Sequence, residues 1–507
     1  MEKYLNNRLN ILFFSPFVLG SLTVFSFQPF NLTFINFLIL PIFFYLTVYI
    51  KKKSKSSYRK KPFKQNLFIY GTAFGFGYYL SGIHWITHSL TFDESFKILI
   101  PFGLIFIPLF LSLFFSIITL LIGPFLKLNL LSILIFSGSL AFSDYLRAKI
   151  LTGFPWNMWI YSFSWSPEII QILDKLGLFA LNLIILTIFM LPSVFFFKTS
   201  LKKKFLYLSI TSLTIFSFFI YGNHSINKNN FKLKNIKEKF NIKVISPNFN
   251  LEYGLNDRDI EERLVKLIKI SGADNDPKTL YIWPEGVFSG YSFDELKSLR
   301  KIISNNFKND QLILFGVNRF NEQKKGYYNS LIIINNKMEI IQEYKKQKLV
   351  PFGEFLPFQK ILSKLGLKKI TEGQGSFLKG KTQKNLILDD LNILPLICYE
   401  IIFTKFVQKS DLNTNLIVNI SEDGWFGESI GPYQHFSKTI FRAIEQNSFL
   451  LRSANKGISA IIDNKGNVIK KLNPNEAGNI ELEVPLIKNE NKNKNDLIFF
   501  ALLITYI

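Results

Sequence analysis

Seven long apolar runs, crowded into the chain ahead of Asn223, restrict its fold more than any other feature. They are Ile11–Phe27, Leu32–Ile50, Asn66–Ile86, Phe96–Ile122, Leu126–Leu146, Leu176–Phe197 and Phe205–Tyr221. A helix crossing a bilayer needs roughly 20 apolar residues. Burying seven such runs in a soluble core would leave almost no amphipathic surface to meet water. Residues 1–222 are therefore read as a multi-pass α-helical membrane domain of about seven helices. The N-terminus, with Lys3 and Arg8 ahead of the first run, has the outline of a secretory signal. No small-residue cleavage pattern follows it and a second apolar run starts at once, so it is read as a retained span.

Charge sets the orientation. Basic residues crowd the N-terminus, Lys51–Lys64, the short loop at Lys127, and Phe197–Lys204. The alternate loops, Ser26–Asn31 and Thr87–Ser95, carry no Lys or Arg, and the stretch from Arg147 to Glu168 is mostly uncharged. The positive-inside rule places the N-terminus in the cytoplasm. An odd number of crossings then delivers everything after Tyr221 to the outer side.

The 60 Lys+Arg against 37 Asp+Glu would suit a nucleic-acid binder. However, the densest basic run, Lys51–Lys64, lies between two apolar runs and suits an anionic membrane face. No nucleic acid is expected as a partner. One cysteine excludes an internal disulfide. With four histidines it also leaves few soft ligands for a metal, so neither metal nor cofactor is expected.

From Asn241 the composition changes to short β-rich runs alternating with helical and loop stretches. Strands are predicted at Asn241–Ser246, Thr279–Trp283, Gln311–Val317, Asn329–Asn335, Asn392–Tyr399, Asn415–Ile420 and Gly457–Asp463. Helical periodicity covers Ile260–Ile270, Phe293–Asn305 and Thr439–Leu451. This is a layered α/β domain over 241–487, joined to the apolar half by a linker, 223–240. Residues 488–507 form a polar linker and a short apolar segment, LIFFALLITYI. That segment is too short for a full crossing, and reads either as a cut-short eighth span or as a stretch dipping into the membrane.

Cys398 closes an apolar strand and is followed by Tyr399 and Glu400. A lone cysteine is commonly no more than a small buried hydrophobe. Strand ends of α/β domains, though, are where reactive groups reach a cleft, and a thiol needs a base or cation beside it. Glu285 in YIWPEG and Lys346 in EYKKQKLVPFGEF also follow strands. Singly, each reads as a surface charge. Together a base, a cation and a thiol at three strand ends form a chemical unit, although spacing alone does not bring them together.

The order Glu285, Lys346, Cys398 resembles the Glu-Lys-Cys triad of the nitrilase, or carbon-nitrogen hydrolase, superfamily. LVPFGEFLP (Leu349–Pro357), ICYE (Ile397–Glu400), NISEDGWFGESIGPYQH (Asn419–His435) and RAIEQNSFLLRSANKGISA (Arg442–Ala460) resemble its membrane branch, the apolipoprotein N-acyltransferases. FGYYLSGIHWI (Phe76–Ile86) and LTGFPWNMW (Leu151–Trp159) extend the resemblance into the apolar half, so that it spans nearly the whole chain. It implies an α-β-β-α catalytic sandwich mounted on eight membrane helices in the bacterial inner membrane, on the periplasmic side, acting as a monomer. It also implies a ping-pong transfer. Glu285 is the base, Cys398 the nucleophile that forms a thioester, and Lys346 the oxyanion stabiliser. The donor is a phospholipid, phosphatidylethanolamine, and the acceptor the α-amine of a diacylglyceryl-cysteine on an apolipoprotein.

The family pattern selects Lys346 over Lys345 because it lies two residues after Tyr344 and eight before Glu354. Lys345 and Lys348 are left as surface or headgroup contacts. Glu354 resembles a glutamate that holds or assists the lysine, and Tyr399 and Glu400 resemble positions beside the nucleophile that shape the pocket or the acceptor site. Trp425 and Phe426 read either as a lip against lipid tails or as packing under a loop. His435 reads as structural. GFPW (Gly153–Trp156) either admits acyl chains or belongs to an interfacial aromatic belt.

Two other readings compete. A membrane-tethered nitrilase-like amidase would use the same triad with water as the final nucleophile. A transporter or receptor with an inactive sensor domain would line its spans with charged pairs, and the apolar runs hold few charges.

Overall fold

A computed structural model of the chain describes residues 8–53, 62–273, 277–365, 369–370, 376–381, 384–487 and 496–506. Most of the basic Lys51–Lys64 loop and of the polar linker after residue 487 lies outside the described residues. The chain divides into two compact units. The first contains the residues up to His88, Lys97–Ser225 and the closing helix Leu497–Tyr506, and the second contains Ser89–Phe96 and Ile226–Lys494.

The first unit is helical: α1 (Ser15–Leu22), α2 (Asn36–Lys53), α3 (Pro62–Ile83), α4 (Ile100–Ile122), α5 (Leu130–Lys149), α6 (Leu178–Met190) and α7 (Leu201–Lys234). Among the described residues, five helical stretches are long and apolar enough to cross a membrane: Thr33–Lys53, Glu94–Phe125, Leu130–Lys149, Leu178–Phe196 and Leu201–Lys234. The first expected span lies on a shorter apolar helix, Asn10–Ser26, and the third on α3.

Lipid tails give apolar helices no reason to prefer one another, so close backbone approach and polar contacts hold them together. Gly71 and Gly75 of α3, one turn apart, provide it. A Cβ on them would lie 2.1 Å from Thr119 Oγ1 and 2.8 Å from Ser112 Cα on α4. Thr119 Oγ1 in turn donates to Leu67 O at 2.8 Å.

The GFPW segment is folded into this unit, with Trp156 and Trp159 buried and Trp85 packed 4.8 Å from Trp156. Arg147 of α5 donates to Phe154 O and pairs with Asp144 at 2.7 Å, while Asn182 donates to Asp144 at 3.0 Å. This buried charge pair anchors a loop. The closing helix Leu497–Tyr506 also packs here. Phe499 stacks 5.3 Å from Tyr145, and Thr187 bonds the Tyr506 hydroxyl at 3.1 Å.

Where a linker was expected over 223–240, α7 continues to Lys234 and β1 starts at Lys239. The last turns of α7 are held within the second unit by Asn229, which exchanges two 2.8 Å amide bonds with Asn464.

The second unit has the expected α-β-β-α layering. Its strands are β1 (Lys239–Ser246), β2 (Thr279–Ile282), β3 (Leu312–Asn321), β4 (Gly326–Ile334), β5 (Ile340–Lys345), β6 (Leu386–Leu388), β7 (Leu391–Ile397), β8 (Leu416–Glu422), β9 (Phe449–Asn455), β10 (Ser459–Ile462), β11 (Val468–Leu472) and β12 (Gly478–Pro485). They form two six-stranded mixed sheets, ordered β12-β1-β2-β3-β4-β5 and β11-β10-β9-β8-β7-β6. Each sheet has a parallel trio at its centre, β1-β2-β3 and β7-β8-β9.

The sheets lie face to face. Ser453 Oγ donates to Ile245 O at 2.7 Å, and Gly316 leaves only enough room for Ile420 beside it. On the outer face of the first sheet, α8 (Asp257–Ser271) starts from a capping box at Asn256 and ends on left-handed Gly272. Its Ile260, Leu264 and Leu267 bury against Tyr281, Trp283 and Phe315.

The amphipathic α9 (Gly431–Gln446) covers the second sheet. It stops earlier than the periodicity predicts, because Asn447 turns left-handed (φ 53°) and Phe449 opens β9. The predicted helix Phe293–Asn305 is broken into short turns, Phe293–Leu296, Lys297–Leu299 and Arg300–Asn306.

Candidate active site

The candidate residues come from the ends of strands in both sheets. β2 ends at Ile282, and Pro284 then directs Glu285 out of the sheet. Gly286 turns the chain back at φ 75°, a conformation that a Cβ would strain. A Cβ there would also come 3.1 Å from Glu422 Oε2. Lys346 is the first residue past β5, and its backbone N–H bonds Asn329 O at 2.9 Å.

Lys346 is 1% exposed, and its Nζ lies 2.9 Å from Glu354 Oε1 and 3.4 Å from Glu285 Oε1. Asn329 Nδ2 joins the two carboxylates, donating to Glu285 Oε1 at 2.7 Å and to Glu354 Oε1 at 2.8 Å. The remaining oxygens are also held. Glu354 Oε2 accepts Val350 N at 2.9 Å, and Glu285 Oε2 accepts Glu422 N at 3.2 Å. Burial alone would lower the Lys346 pKa, but the charges of Glu285 and Glu354 outweigh it and raise the pKa above the usual lysine value.

Cys398 follows β7 at φ 49°, in the left-handed region that non-glycine residues seldom adopt, and opens a short turn, Cys398–Ile402. The parallel register pairs Ile397 with Ile420, which puts Cys398 beside Ser421. The thiol is buried, 8% exposed. Burial and the charge of Glu285 push its pKa up, while Lys346 and a hydrogen bond with Ser421 pull the other way. The thiol thus sits within the electrostatic reach of both Glu285 and Lys346, and it rests protonated.

Glu400 is fully buried and does not face an open site. It accepts backbone N–H groups of Gln347 (2.8 Å), Lys348 (3.0 Å) and Ile397 (2.9 Å), and the Tyr344 hydroxyl at 3.0 Å. It therefore ties the Lys346 segment to the Cys398 turn. Burial pushes its pKa up to about 7 against those donors. Tyr399 packs edge-on to Phe403 at 5.1 Å. Trp425 and Phe426 lie in the turn after β8. Trp425 meets Phe92 edge-on at 5.3 Å and lies 6.4 Å from Tyr253, and Phe426 packs on His435 at 5.4 Å.

Behind the thiol lies a network that sequence reasoning left unread. Ser421 Oγ donates to Asp423 Oδ1 at 2.7 Å. Arg452 Nη2 donates to Asp423 Oδ2 at 2.7 Å, His435 Nδ1 lies 3.0 Å from Asp423, and Arg452 also bonds Asn419. Burial would raise the Asp423 pKa, yet Arg452 and His435 hold it below the usual carboxylate range. Glu422 accepts the Gly424 N–H and the Asn455 amide, each at 2.8 Å. Burial, opposed by bonds from Asn455 and Gly424, lifts it to about 8. Asn329 was visible only as the opening residue of a strand, and its bridging role depends on residues far away in the chain. Among the described residues, no three His, Cys, Asp or Glu side chains gather as a metal site.

Comparison with known proteins follows the same division of the chain. A family model described as the Apolipoprotein N-acyltransferase N-terminal domain matches residues 19–191, and one described as Carbon-nitrogen hydrolase matches residues 256–488. The Apolipoprotein N-acyltransferase of Rhodopseudomonas palustris is 30% identical over 485 residues, covering 92% of this chain and 88% of the relative. The protein of the same name from Rickettsia typhi is 33% identical over 506 residues, covering 97% of each.

Proposed function

Since the chain belongs to the apolipoprotein N-acyltransferase family, we propose that it moves an acyl chain from a phospholipid to the α-amine of a lipoprotein's N-terminal diacylglyceryl-cysteine, through a thioester on Cys398. What supports this reading is a left-handed Cys398 that feels the charges of Glu285 and Lys346, themselves held with Glu354 in one buried cluster, in a chain with apolar helices long enough to span a membrane.

Because the resting thiol is protonated, the base acts during attack. Glu285 takes the Sγ proton as Sγ adds to the sn-1 ester carbonyl of the donor, phosphatidylethanolamine. The Lys346 ammonium, fixed by Glu354 and dry, stabilises the developing oxyanion. Collapse expels the lysophospholipid alkoxide, which takes the proton back from Glu285. The thioester then meets the amine, Glu285 accepts the proton that the amine loses, and the amide leaves as Cys398 regains its hydrogen. Burial of the sulfur keeps water from hydrolysing the acyl-enzyme. Asn329 and Glu400 position the base and the lysine segment.

The basic N-terminus and loops support a cytoplasmic N-terminus in the inner membrane. With seven crossings the sandwich faces the periplasmic side, where it works as a monomer.

The test is mass spectrometry of the full-length protein after exposure to phosphatidylethanolamine. An acyl mass on the Cys398 peptide, removed by hydroxylamine and passed to a diacylated peptide amine, is the expected result. A Cys398 peptide without acyl mass would refute the thioester, and transfer to water alone would make the protein a hydrolase.

A further inference from the structure

A buried carboxyl with no part in the chemistry above stands beside the base. Glu422 closes β8 and is buried. Its backbone N–H donates at 3.2 Å to Glu285 Oε2, while Lys346 and Asn329 engage Oε1. Its side chain folds against the residue that follows the base, since a Cβ on Gly286 would stand 3.1 Å from Glu422 Oε2 and 3.4 Å from its Cγ. The Gly424 N–H and the Asn455 amide clamp the two carboxyl oxygens at 2.8 Å each. Asn455 is itself tied to the backbone N–H and C=O of Phe249, at 2.8 and 2.9 Å. A carboxyl clamped in this way stays beside Glu285 when its charge changes.

Charged side chains face it from several elements. Glu285 lies across the Gly286 turn, and Asp423 follows it in its own turn. Arg263 of α8 reaches the same region, with Nη1 3.4 Å from Val287 O, and its Nη2 bonds Asn250 O at 2.9 Å and Glu252 at 3.3 Å. Lys456, just past β9, sets its Cγ 3.5 Å from where a Gly424 Cβ would stand. Burial first, opposed by Asn455 and Gly424 and helped by Glu285 and Asp423, keeps Glu422 a neutral acid up to about 8. In the proposed reaction, proton transfer moves negative charge off Glu285 and onto the oxyanion beside Lys346. A second negative charge next to Glu285 favours that movement. The proton is not trapped by it, because the departing alkoxide is far more basic than any carboxylate.

We propose that Glu422 is a positioning residue for the base: it holds Glu285 Oε2 through its own N–H and, when ionised, strengthens Glu285 as a proton acceptor in both half-reactions. This deepens the acyl-transfer reading and rests on it, because it takes Glu285 as the base. As pH climbs through about 8, the carboxyl of Glu422 loses its proton and acyl transfer accelerates. A variant without an ionisable group at this position lacks that acceleration.

The experiment uses the full chain in detergent, as wild type, Glu422→Gln and Glu422→Met. Single-turnover acylation of Cys398 by phosphatidylethanolamine is followed by mass from about pH 6.5 to about pH 9.5. The ratio of wild-type to variant rate is expected to grow about tenfold across that range, as a like charge beside a base would give. Infrared difference spectra of the wild type should show the carbonyl band of a protonated carboxyl, missing from Glu422→Gln, disappearing over the same pH interval. That band keeps the test open if neither variant folds, since the rise in the wild-type rate must then coincide with its loss. A ratio that stays flat or falls with pH, or a rate that rises apart from the band, overturns the role of Glu422. A wild type that takes no acyl group at any pH overturns the acyl-transfer reading, and this role with it.

Discussion

Replacing Lys346 with Met removes one ammonium and leaves two buried carboxylates, Glu285 and Glu354, sharing a single Asn329 amide. At an effective dielectric of about 20, contacts of 2.9 and 3.4 Å correspond to gross attractions of about 6 and 5 kcal/mol. Returning the ammonium's solvation gives back several of those, so the net loss is expected near 3–5 kcal/mol, the usual cost of orphaning a buried charge. For a domain of this size that is a fall in Tm of roughly 6–20 °C. The penalty should depend on pH. Without the cation, the folded state favours a protonated carboxyl, so stability recovers as pH falls below neutrality and is lost as it rises. Thermal unfolding of purified Lys346→Met, with Cys398→Ala as a control that removes no fixed charge, should show a wide Tm gap at pH 7.5 that narrows at pH 5. A variant within about 2 °C of wild type at pH 7.5, or a gap indifferent to pH, would refute this account.

Three further outcomes follow from the same region. The Glu422 pKa, raised to about 8, means that the fold favours the neutral acid. Its contribution is complete below the ordinary carboxyl range and declines as pH climbs towards 8, by up to about 5 kcal/mol, so Glu422→Gln should flatten the Tm–pH curve and be the more stable protein at pH 9. Ser421→Ala removes a hydroxyl that donates to Asp423 in the resting site and favours the thiolate when it turns to the sulfur. Alkylation of Cys398, the sole cysteine, by iodoacetamide should slow about tenfold and its pH profile should move upward; superimposed profiles would exclude the role. Trp425→Ala loses ring contacts with Phe92 and Tyr253 worth about 0.5–1.5 kcal/mol each, and limited proteolysis should then cut the turn after β8 faster.

The layers of the sandwich were legible because most buried strands announce themselves as apolar runs between turn residues. β9 was not, since FLLRSAN has no alternation and directly follows a helix, leaving Asn447 as the only break. β12 was not among the predicted strands either, although it shows a clean period of two, Ile480, Leu482 and Val484 against Glu481 and Glu483. For the site, position after a strand pointed to Glu285 and Cys398, while adjacent Lys345 and Lys346 could not be separated by local pattern. In the structure they diverge. Lys346 is enclosed, whereas Lys345 lies 4.7 Å from the Tyr328 ring and close to Glu343. Asn329, Ser421 and Arg452 left no local signal, since each matters only through partners the fold brings together. Trp425 shows the same limit, because its partner Phe92 comes from a loop between two apolar runs.

The pairing of β1 with β12 has a consequence for how this protein is made. Lys239–Ser246 pairs along its whole length with Gly478–Pro485, so the earliest strand of the sandwich waits for the latest. A nascent chain halted anywhere before residue 478 leaves β1 with a bare, hydrogen-bonding edge, open to strands of other chains. Premature stops late in the gene should therefore yield aggregates rather than a trimmed enzyme, and a ribosome that finishes its message is a condition for solubility of this half.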